Sequence, residues 1–143
     1  MLFLRACSEE DVSHAANLMC LVYSEPPWNE KWQPERARKR VKAFLSGINA
    51  RAYAMIVDTE IIGYLFGRID IALKHDVFYV EEMFVHPNYQ RRGCGSMALA
   101  QLAGELKKTD VSRIELHTIS EDISFYKKNG FAPSSFLYLE KEI

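Results

Sequence analysis

The stretch from residue 77 to residue 108 constrains the fold more than any other part of the sequence. Residues 77–85 form a mostly apolar run typical of a strand, and His86-Pro87-Asn88 ends it because proline cannot continue a central ladder. Residues 93–108 place leucines at helical spacing, which predicts a helix. A strand that passes through a short glycine-containing loop into a helix is therefore expected here, and this junction is where we expect the chemistry.

Other apolar patterns complete a mixed layout. Strands are predicted at residues 2–6, 52–57, 61–69, 77–85, 113–118 and 135–140. Helices are predicted from Val12 to the Pro26-Pro27 stop, at 34–47, at 93–108, and at 123–129 with Gly130 as a left-handed cap. The order β-α-α-β-β-β-α-β-α-β is typical of an α+β fold. A length of 143 residues without a repeat or linker predicts a single domain, residues 1–143.

Composition excludes several classes of function. Lys and Arg number 18 against 19 Asp and Glu, so no positive field favours nonspecific nucleic-acid binding, and we expect no nucleic-acid partner. Three cysteines without paired spacing predict neither disulfides nor a zinc site, and the histidines show no metal spacing either. No apolar run approaches the ~20 residues that a membrane span needs. We expect a cytoplasmic chain with reduced thiols, no membrane partner and no metal.

The loop of residues 90–95 has the character of an anion site. It lies between a strand and a helix, so backbone N–H groups and the positive helix end can converge on one anion. Gly93 and Gly95 remove side chains that would block that approach. The spacing fits neither the Walker pattern nor the dinucleotide pattern, which disfavours nucleoside triphosphates and NAD.

Two motifs resemble those of the GNAT superfamily of acyl-CoA-dependent N-acetyltransferases. Gln90-x-x-Gly93-x-Gly95 is similar to the family's pyrophosphate loop, and residues 125–131, Phe-Tyr-Lys-Lys-Asn-Gly-Phe, are similar to its C-terminal signature. The resemblance implies a mixed, mostly antiparallel central sheet flanked by helices. It also implies acetyl-CoA as co-substrate and a direct transfer of the acetyl group to a primary amine. Family members often dimerise, so a homodimer is expected by analogy.

The resemblance also implies which residues hold the cofactor. Backbone amides of the loop would bind the pyrophosphate, two arginine side chains would reach other phosphates, and the end of the preceding strand would pair with the pantetheine arm. The implied cofactor-binding residues are Met83, Phe84, Val85, Gln90, Arg91, Arg92, Gly93, Cys94, Gly95 and Ser96.

Catalytic roles follow from the same resemblance. An amine must lose a proton before it can attack, so a carboxylate is useful, and Glu81 and Glu82 are the candidates. A regular strand would point them to opposite faces, with Glu81 favoured as the base, and a bulge would exchange the assignments. The alternative is that both are surface charges. Tyr126 corresponds to the family tyrosine that protonates the departing thiolate, and its alternative role is a packed aromatic.

The sequence departs from the family pattern in one place, and one further route has to be weighed. Many relatives carry an asparagine seven residues before the tyrosine, where this chain has Ile119, which puts that cofactor contact in doubt. Cys94 stands at a helix N-terminus, where a thiolate would be stabilised, so an acyl-cysteine route is a second possibility. No base is placed beside it, which disfavours that route.

Substrate residues are expected in the loop between the first two helices. Acids and aromatics suit a small cationic amine, such as an aminoglycoside-like compound, and they are Glu25, Trp28, Glu30 and Trp32. The tryptophans could instead simply close the core. The basic run in the second helix is interpreted as a solvated face, or as a site for an acidic substrate or a polynucleotide. A peptide or protein N-terminus, or a non-catalytic acyl-CoA-binding module, remains as an alternative.

Overall fold

A five-stranded sheet organises the molecule, and the computed structural model describes residues 1–143. The strands are β1 (Leu2–Ala6), β2 (Ala50–Val57), β3 (Glu60–Asp70), β4 (Asp76–Val85) and β5 (Val111–Glu115). They lie in the order β1-β2-β3-β4-β5. The first three pairings are antiparallel and β4 pairs with β5 in parallel. The predicted mixed, mostly antiparallel α+β architecture is confirmed.

Helices cover both faces of this sheet. They are α1 (Val12–Tyr23), α2 (Pro34–Leu45), α3 (Cys94–Leu106) and the short α4 (Ile123–Lys128). Side chains alternate along β3, so Tyr64 and Phe66 pack with α1 and α2, whereas Leu65 packs with α3. Each face therefore has its own apolar core, and β4 runs between the two.

A β-bulge interrupts β4 at its midpoint. The register with β3 passes from the Phe66–Glu82 pair to the Gly67–Val80 pair, which leaves Glu81 without a partner. Gly67 is required at this point, because a Cβ there would overlap the ring of Phe78. A bulge bends the strand and re-aims its side chains. Of the two alternatives considered for this strand, regular or bulged, the structure has the bulge, at Glu81.

The predicted last strand, residues 135–140, does not form. The side chains of Phe136, Leu137, Tyr138 and Leu139 are 71–85% exposed, and none of these residues pairs with the sheet. Residues that favour strands do not make one without a hydrogen-bonded neighbour. The contact that attaches this segment is the stacking of Tyr138 on His117, with ring centroids 4.5 Å apart. The first four predicted strands, by contrast, differ from those observed by two residues or fewer at each end.

A buried carboxylate fixes the start of α1 against β1. The side chain of Asp11 is 9% exposed and accepts two hydrogen bonds from Arg5, of 2.8 and 3.1 Å. It also accepts one from the backbone N–H of Ser8, at 2.8 Å, in a capping box. The hydrogen bonds from Arg5, followed by that from Ser8, hold the pKa of Asp11 below its ordinary value. Stability should therefore depend on the charge of Asp11.

Replacing Asp11 by Asn should lower the free energy of unfolding by about 1–2 kcal/mol at pH 7. Because the folded-state pKa is depressed, this contribution is complete above the unfolded pKa of about 3.9 and is lost as the pH falls through the folded value. Urea denaturation of both proteins between pH 7 and pH 2.5 measures the difference. The exposed neighbour Glu10, replaced by Gln, serves as the control. An Asn penalty of the same size at pH 3 and pH 7 would contradict the assignment.

Candidate active site

The second half of β4 has a hydrogen-bonded neighbour on one side only. Pairing with β5 stops at Tyr79 and Glu115, whereas pairing with β3 continues to Val85. In an antiparallel pair only alternate residues direct their N–H and C=O groups to the partner strand. The remaining backbone groups of residues 80–85 therefore face the gap left by β5. Met83, Phe84 and Val85 border this gap, and an extended ligand with amide groups could bind there.

The loop after β4 presents an N-terminal helix end toward solvent. A 3-10 turn at Pro87–Tyr89 leads to two residues with left-handed backbone, Arg91 (φ 60°) and Gly93 (φ 80°). The first helical bond of α3 runs from the N–H of Met97 to the carbonyl of Gly93, at 2.9 Å. The N–H groups of residues 94–96 consequently have no helical acceptor. This geometry can bind an anion through backbone groups.

Some side chains of this loop hold its conformation, and others are exposed to solvent. The amide of Gln90 donates to the carbonyl of Val85 at 2.8 Å and so ties the loop to the strand end. Arg91 and Arg92 are exposed, and Arg92 lies over the ring of Tyr89, 5.7 Å from its centroid. Ser96 is half-buried in the first turn of α3.

Cys94 and Gly95 serve the packing of α3. The side chain of Cys94 is 6% exposed and belongs to the core beneath this helix, so the acyl-cysteine route is disfavoured on geometry as well. A Cβ on Gly95 would lie 3.0 Å from the ring of Phe125. Glycine at this position therefore allows α4 to approach the start of α3. This close approach brings Tyr126, the next residue, to the site.

The bulge places both glutamates on the face covered by α1 and α2. Glu82 accepts a hydrogen bond from the hydroxyl of Tyr23 and two from Arg40, of 2.8 and 3.0 Å. Glu81 forms an ion pair with Arg68, which follows Tyr64 and Phe66 at alternate positions of β3. The expectation of opposite faces is thus wrong, because the extra residue removes the alternation. The side chains of Glu81 and Glu82 are 29% and 14% exposed.

Tyr126 is a half-buried phenol without a hydrogen-bond partner in the chain. Its ring packs edge-on against Phe125 and Phe131. Burial, followed by the charges of Asp122 and Glu82, raises the pKa of Tyr126 to about 12. The phenol therefore remains a proton donor at neutral pH. Since the carboxylate of Glu82 contributes to this pKa, the two groups act on each other electrostatically.

The loop between α1 and α2 presents its acids to solvent and its aromatics partly to the core. Trp28 packs edge-on against Tyr23, with centroids 5.2 Å apart. The indole N–H of Trp32 donates to Glu30 at 2.9 Å. Glu25 and Glu30 are exposed, whereas both tryptophans are half-buried against the core of this face. Both tryptophans thus pack against the core as one alternative predicted, and their contact with substrate stays a prediction.

Sequence reasoning missed the arginines and the tyrosine that hold the two glutamates. The spacing places Tyr23 on the apolar face of the first helix and indicates a solvated face for the arginine run in α2, so neither pattern predicts these contacts. A signal for Arg40 was available, because it lies three residues after the buried Ala37 and four before Phe44, on the inward stripe. Arg68 had no comparable signal, since its partner depends on the bulge.

An open pocket of about 460 Å³ adjoins Glu81 on the side of α2. Phe44, Gly67 and Arg68 contribute to its walls, together with residues 46–50. A small molecule could therefore approach the glutamates from this side. No group of three or more His, Cys, Asp or Glu residues is arranged to hold a metal ion. None of the helices combines the length and the apolar character that crossing a membrane would require.

Sequence comparison identifies a family. Residues 17–131 match the model described as the Acetyltransferase (GNAT) family. A curated relative, the uncharacterised N-acetyltransferase ycf52 of the red alga Porphyra purpurea, is 29% identical over 73 residues. That alignment covers 51% of this chain and 40% of the relative, so the chain matches less than half of the relative's length.

Solved structures share the fold at low sequence identity. A possible acetyltransferase from Clostridium difficile 630 has a TM-score of 0.85 at 14% identity, over 100% of this chain and 98% of that one. An aminoglycoside acetyltransferase, meta-AAC0020, from an uncultured soil metagenomic sample and in complex with sisomicin, has a TM-score of 0.73 at 14% identity. That match covers 99% of this chain and 96% of the other. These similarities concern the fold alone.

Proposed function

Because the chain belongs to the acetyltransferase (GNAT) family, we propose that it moves an acetyl group from acetyl-CoA directly to a primary amine. The observation that carries the proposal is the conjunction of the open edge of β4 with the unpaired amides at the start of α3. The open edge of β4 suits an extended arm that contains amides, and the unpaired amides of α3 suit a pyrophosphate. Coenzyme A contains both, in that order.

The cofactor would lie along the junction of β4 and α3. Backbone groups of Met83 to Val85 would pair with the pantetheine arm across the gap, and the amides of residues 91–96 would bind the pyrophosphate. Arg91 and Arg92 are exposed beside that loop and could pair with further phosphate oxygens. When bound, acetyl-CoA supplies the activated acyl group. The chain supplies its position and the movement of protons.

Proton transfer would use one glutamate and Tyr126. The ammonium form of the acceptor must lose a proton before its nitrogen can attack, and a carboxylate at the bulge can accept it. Glu81 was favoured from the sequence. We assign the role to Glu82, because it is the less exposed of the two carboxylates and its charge contributes to the raised pKa of Tyr126. Tyr126 would then donate its proton to the departing thiolate.

The acceptor proposed first is a small cationic amine of the aminoglycoside type. The exposed carboxylates of Glu25 and Glu30 and the half-buried rings of Trp28 and Trp32 lie in the loop that borders the glutamate face. Acids provide charge pairing and aromatic rings provide cation–π contacts for such a molecule. The aminoglycoside acetyltransferase with the same fold supports the choice.

The first test is the release of free thiol from acetyl-CoA with a panel of acceptors. Aminoglycosides, polyamines, amino acids and short peptides are offered separately at constant ionic strength. Turnover with aminoglycosides or polyamines is expected because of the acids and aromatics of the loop. Turnover confined to peptides would replace the small cationic amine by a peptide N-terminus. Binding of acetyl-CoA without turnover in any class would favour the non-catalytic module.

Replacing Gly93 by Val should weaken coenzyme A binding at least tenfold. A side chain at φ 80° is strained by about 1–3 kcal/mol, and relief of that strain would move the first amides of α3. Isothermal titration of the unliganded protein with coenzyme A gives the affinity. Gly104→Val is the matched control, since this glycine lies in the same helix and a Cβ there meets no atom within 4 Å. Equal affinity in both variants would contradict the loop assignment.

Replacing Tyr126 by Phe should lower kcat about 100-fold, because the departing thiolate loses its proton donor. The KM for acetyl-CoA should stay within about twofold, since the hydroxyl contacts no other group of the chain. Because the pKa of Tyr126 is about 12, any loss of wild-type activity between pH 8 and pH 10 should persist in the variant. Steady-state kinetics across this range provide the measurement. Unchanged kcat would remove the role assigned to Tyr126.

A further inference from the structure

The guanidinium of Arg40 lies in a box of two aromatic rings and a carboxylate. Its Cζ atom is 5.7 Å from the centroid of Trp32 and 5.0 Å from that of Phe44. Its Nε and Nη2 atoms donate to one oxygen of Glu82, at 3.0 and 2.8 Å. Aromatic faces and a carboxylate are the groups that proteins use to recognise an organic cation. These groups therefore form a site suited to a cation, and the side chain of Arg40 occupies it.

The two oxygens of Glu82 are held by partners of different mobility. Tyr23, which donates to Oε1, is 8% exposed and is fixed in the core. Arg40, which donates to Oε2, has a side chain that is 43% exposed. Arg40 donates twice to Oε2 and fills it, so an incoming ammonium can reach this oxygen only when Arg40 leaves. Arg40 is the partner that can leave, because its end reaches solvent.

We propose that this box, formed by Trp32, Phe44 and Glu82, is the binding site for the cationic group of the acceptor, and that Arg40 occupies it until the acceptor displaces it. The inference rests on the proposed function and specifies which atoms recognise the acceptor. The exchange keeps one positive charge beside Glu82 before and after binding. The half-buried carboxylate is therefore not left without a charged partner, which would be costly.

The same geometry predicts which acceptors compete well. An organic cation with a flat or methylated surface satisfies the rings and the carboxylate together, as the guanidinium does. An anion would meet the faces of two rings and a carboxylate, all of which repel it. The acceptor is therefore an amine or guanidine that carries its positive charge near the atom to be acetylated.

Direct binding tests the box without any need for turnover. Arg40→Ala should bind methylguanidinium chloride at least tenfold more tightly than the wild type, because the internal competitor is gone. Isothermal titration at constant ionic strength measures the dissociation constant, and the fluorescence of Trp32 should change in parallel. Arg36→Ala removes the same charge from an exposed position of α2 and should bind the probe like the wild type. Equal binding by Arg40→Ala and Arg36→Ala would overturn the proposal.

A second variant tests whether the tighter binding occurs at the box or results from a change in folding. Adding Trp32→Leu to Arg40→Ala should abolish the tighter binding, whereas far-UV circular dichroism should match in all variants. Retention of tight binding in the double variant would place the probe elsewhere and overturn the assignment. With an acceptor that turns over, Arg40→Ala should lower the KM for the amine about fivefold and leave the KM for acetyl-CoA unchanged. A higher KM for the amine would show that Arg40 attracts the acceptor, which would also overturn it.

These outcomes distinguish a failure of the proposed function from a failure of the cation box. If no amine is acetylated by the wild type, the proposed function fails, and the titration with methylguanidinium still decides whether the box binds cations. If amines are acetylated and the titrations do not distinguish Arg40→Ala from Arg36→Ala, the function stands and the box is wrong.

Discussion

The site depends on one constraint, which is that β4 and β5 separate after the Tyr79–Glu115 pair. Up to this point β4 lies between two hydrogen-bonded strands, and beyond it the backbone groups on the β5 side have no partner strand. Buried backbone groups without partners are expensive, so such an edge survives only where solvent or a ligand reaches it. The gap and the adjoining end of α3 therefore present backbone groups next to one another.

The bulge at Glu81 adds the second requirement, because it brings two carboxylates to one face of the sheet. Neither is left alone: Arg68 pairs with Glu81, and Arg40 with Tyr23 holds Glu82. The pairs differ in surroundings. Glu82 is the less exposed of the two acids and lies between a buried phenol and an aromatic box, whereas Glu81 borders an open pocket. Glu81 and Glu82 are thus the same residue type at adjacent positions, but their surroundings in the structure differ.

Sequence patterns predicted the parts of this arrangement that depend on local chemistry. The strand, the loop and the helix around residues 77–108 follow from apolar spacing, proline and glycine, and Gly130 has the left-handed backbone expected of it. Two features depend on pairing between distant residues and could not be predicted. The bulge requires Gly67 of β3 to face Phe78, and the segment of residues 135–140 lacks a neighbouring strand despite its composition. The partners of both glutamates come from other elements for the same reason.

The position of Arg40 shows why a charge on the inward stripe of a helix needs its own explanation. A guanidinium with 43% of its side chain exposed gains little from an ion pair alone, because solvent screens the charges. Its contacts with Trp32, Phe44 and Glu82 together hold it in place, and each of these contacts is available to another cation of similar shape. Weak individual contacts make the side chain easy to displace, while the half-buried carboxylate favours a positive charge in its place. The contacts that pair Glu82 with a positive charge are therefore the same contacts that can recognise a cation.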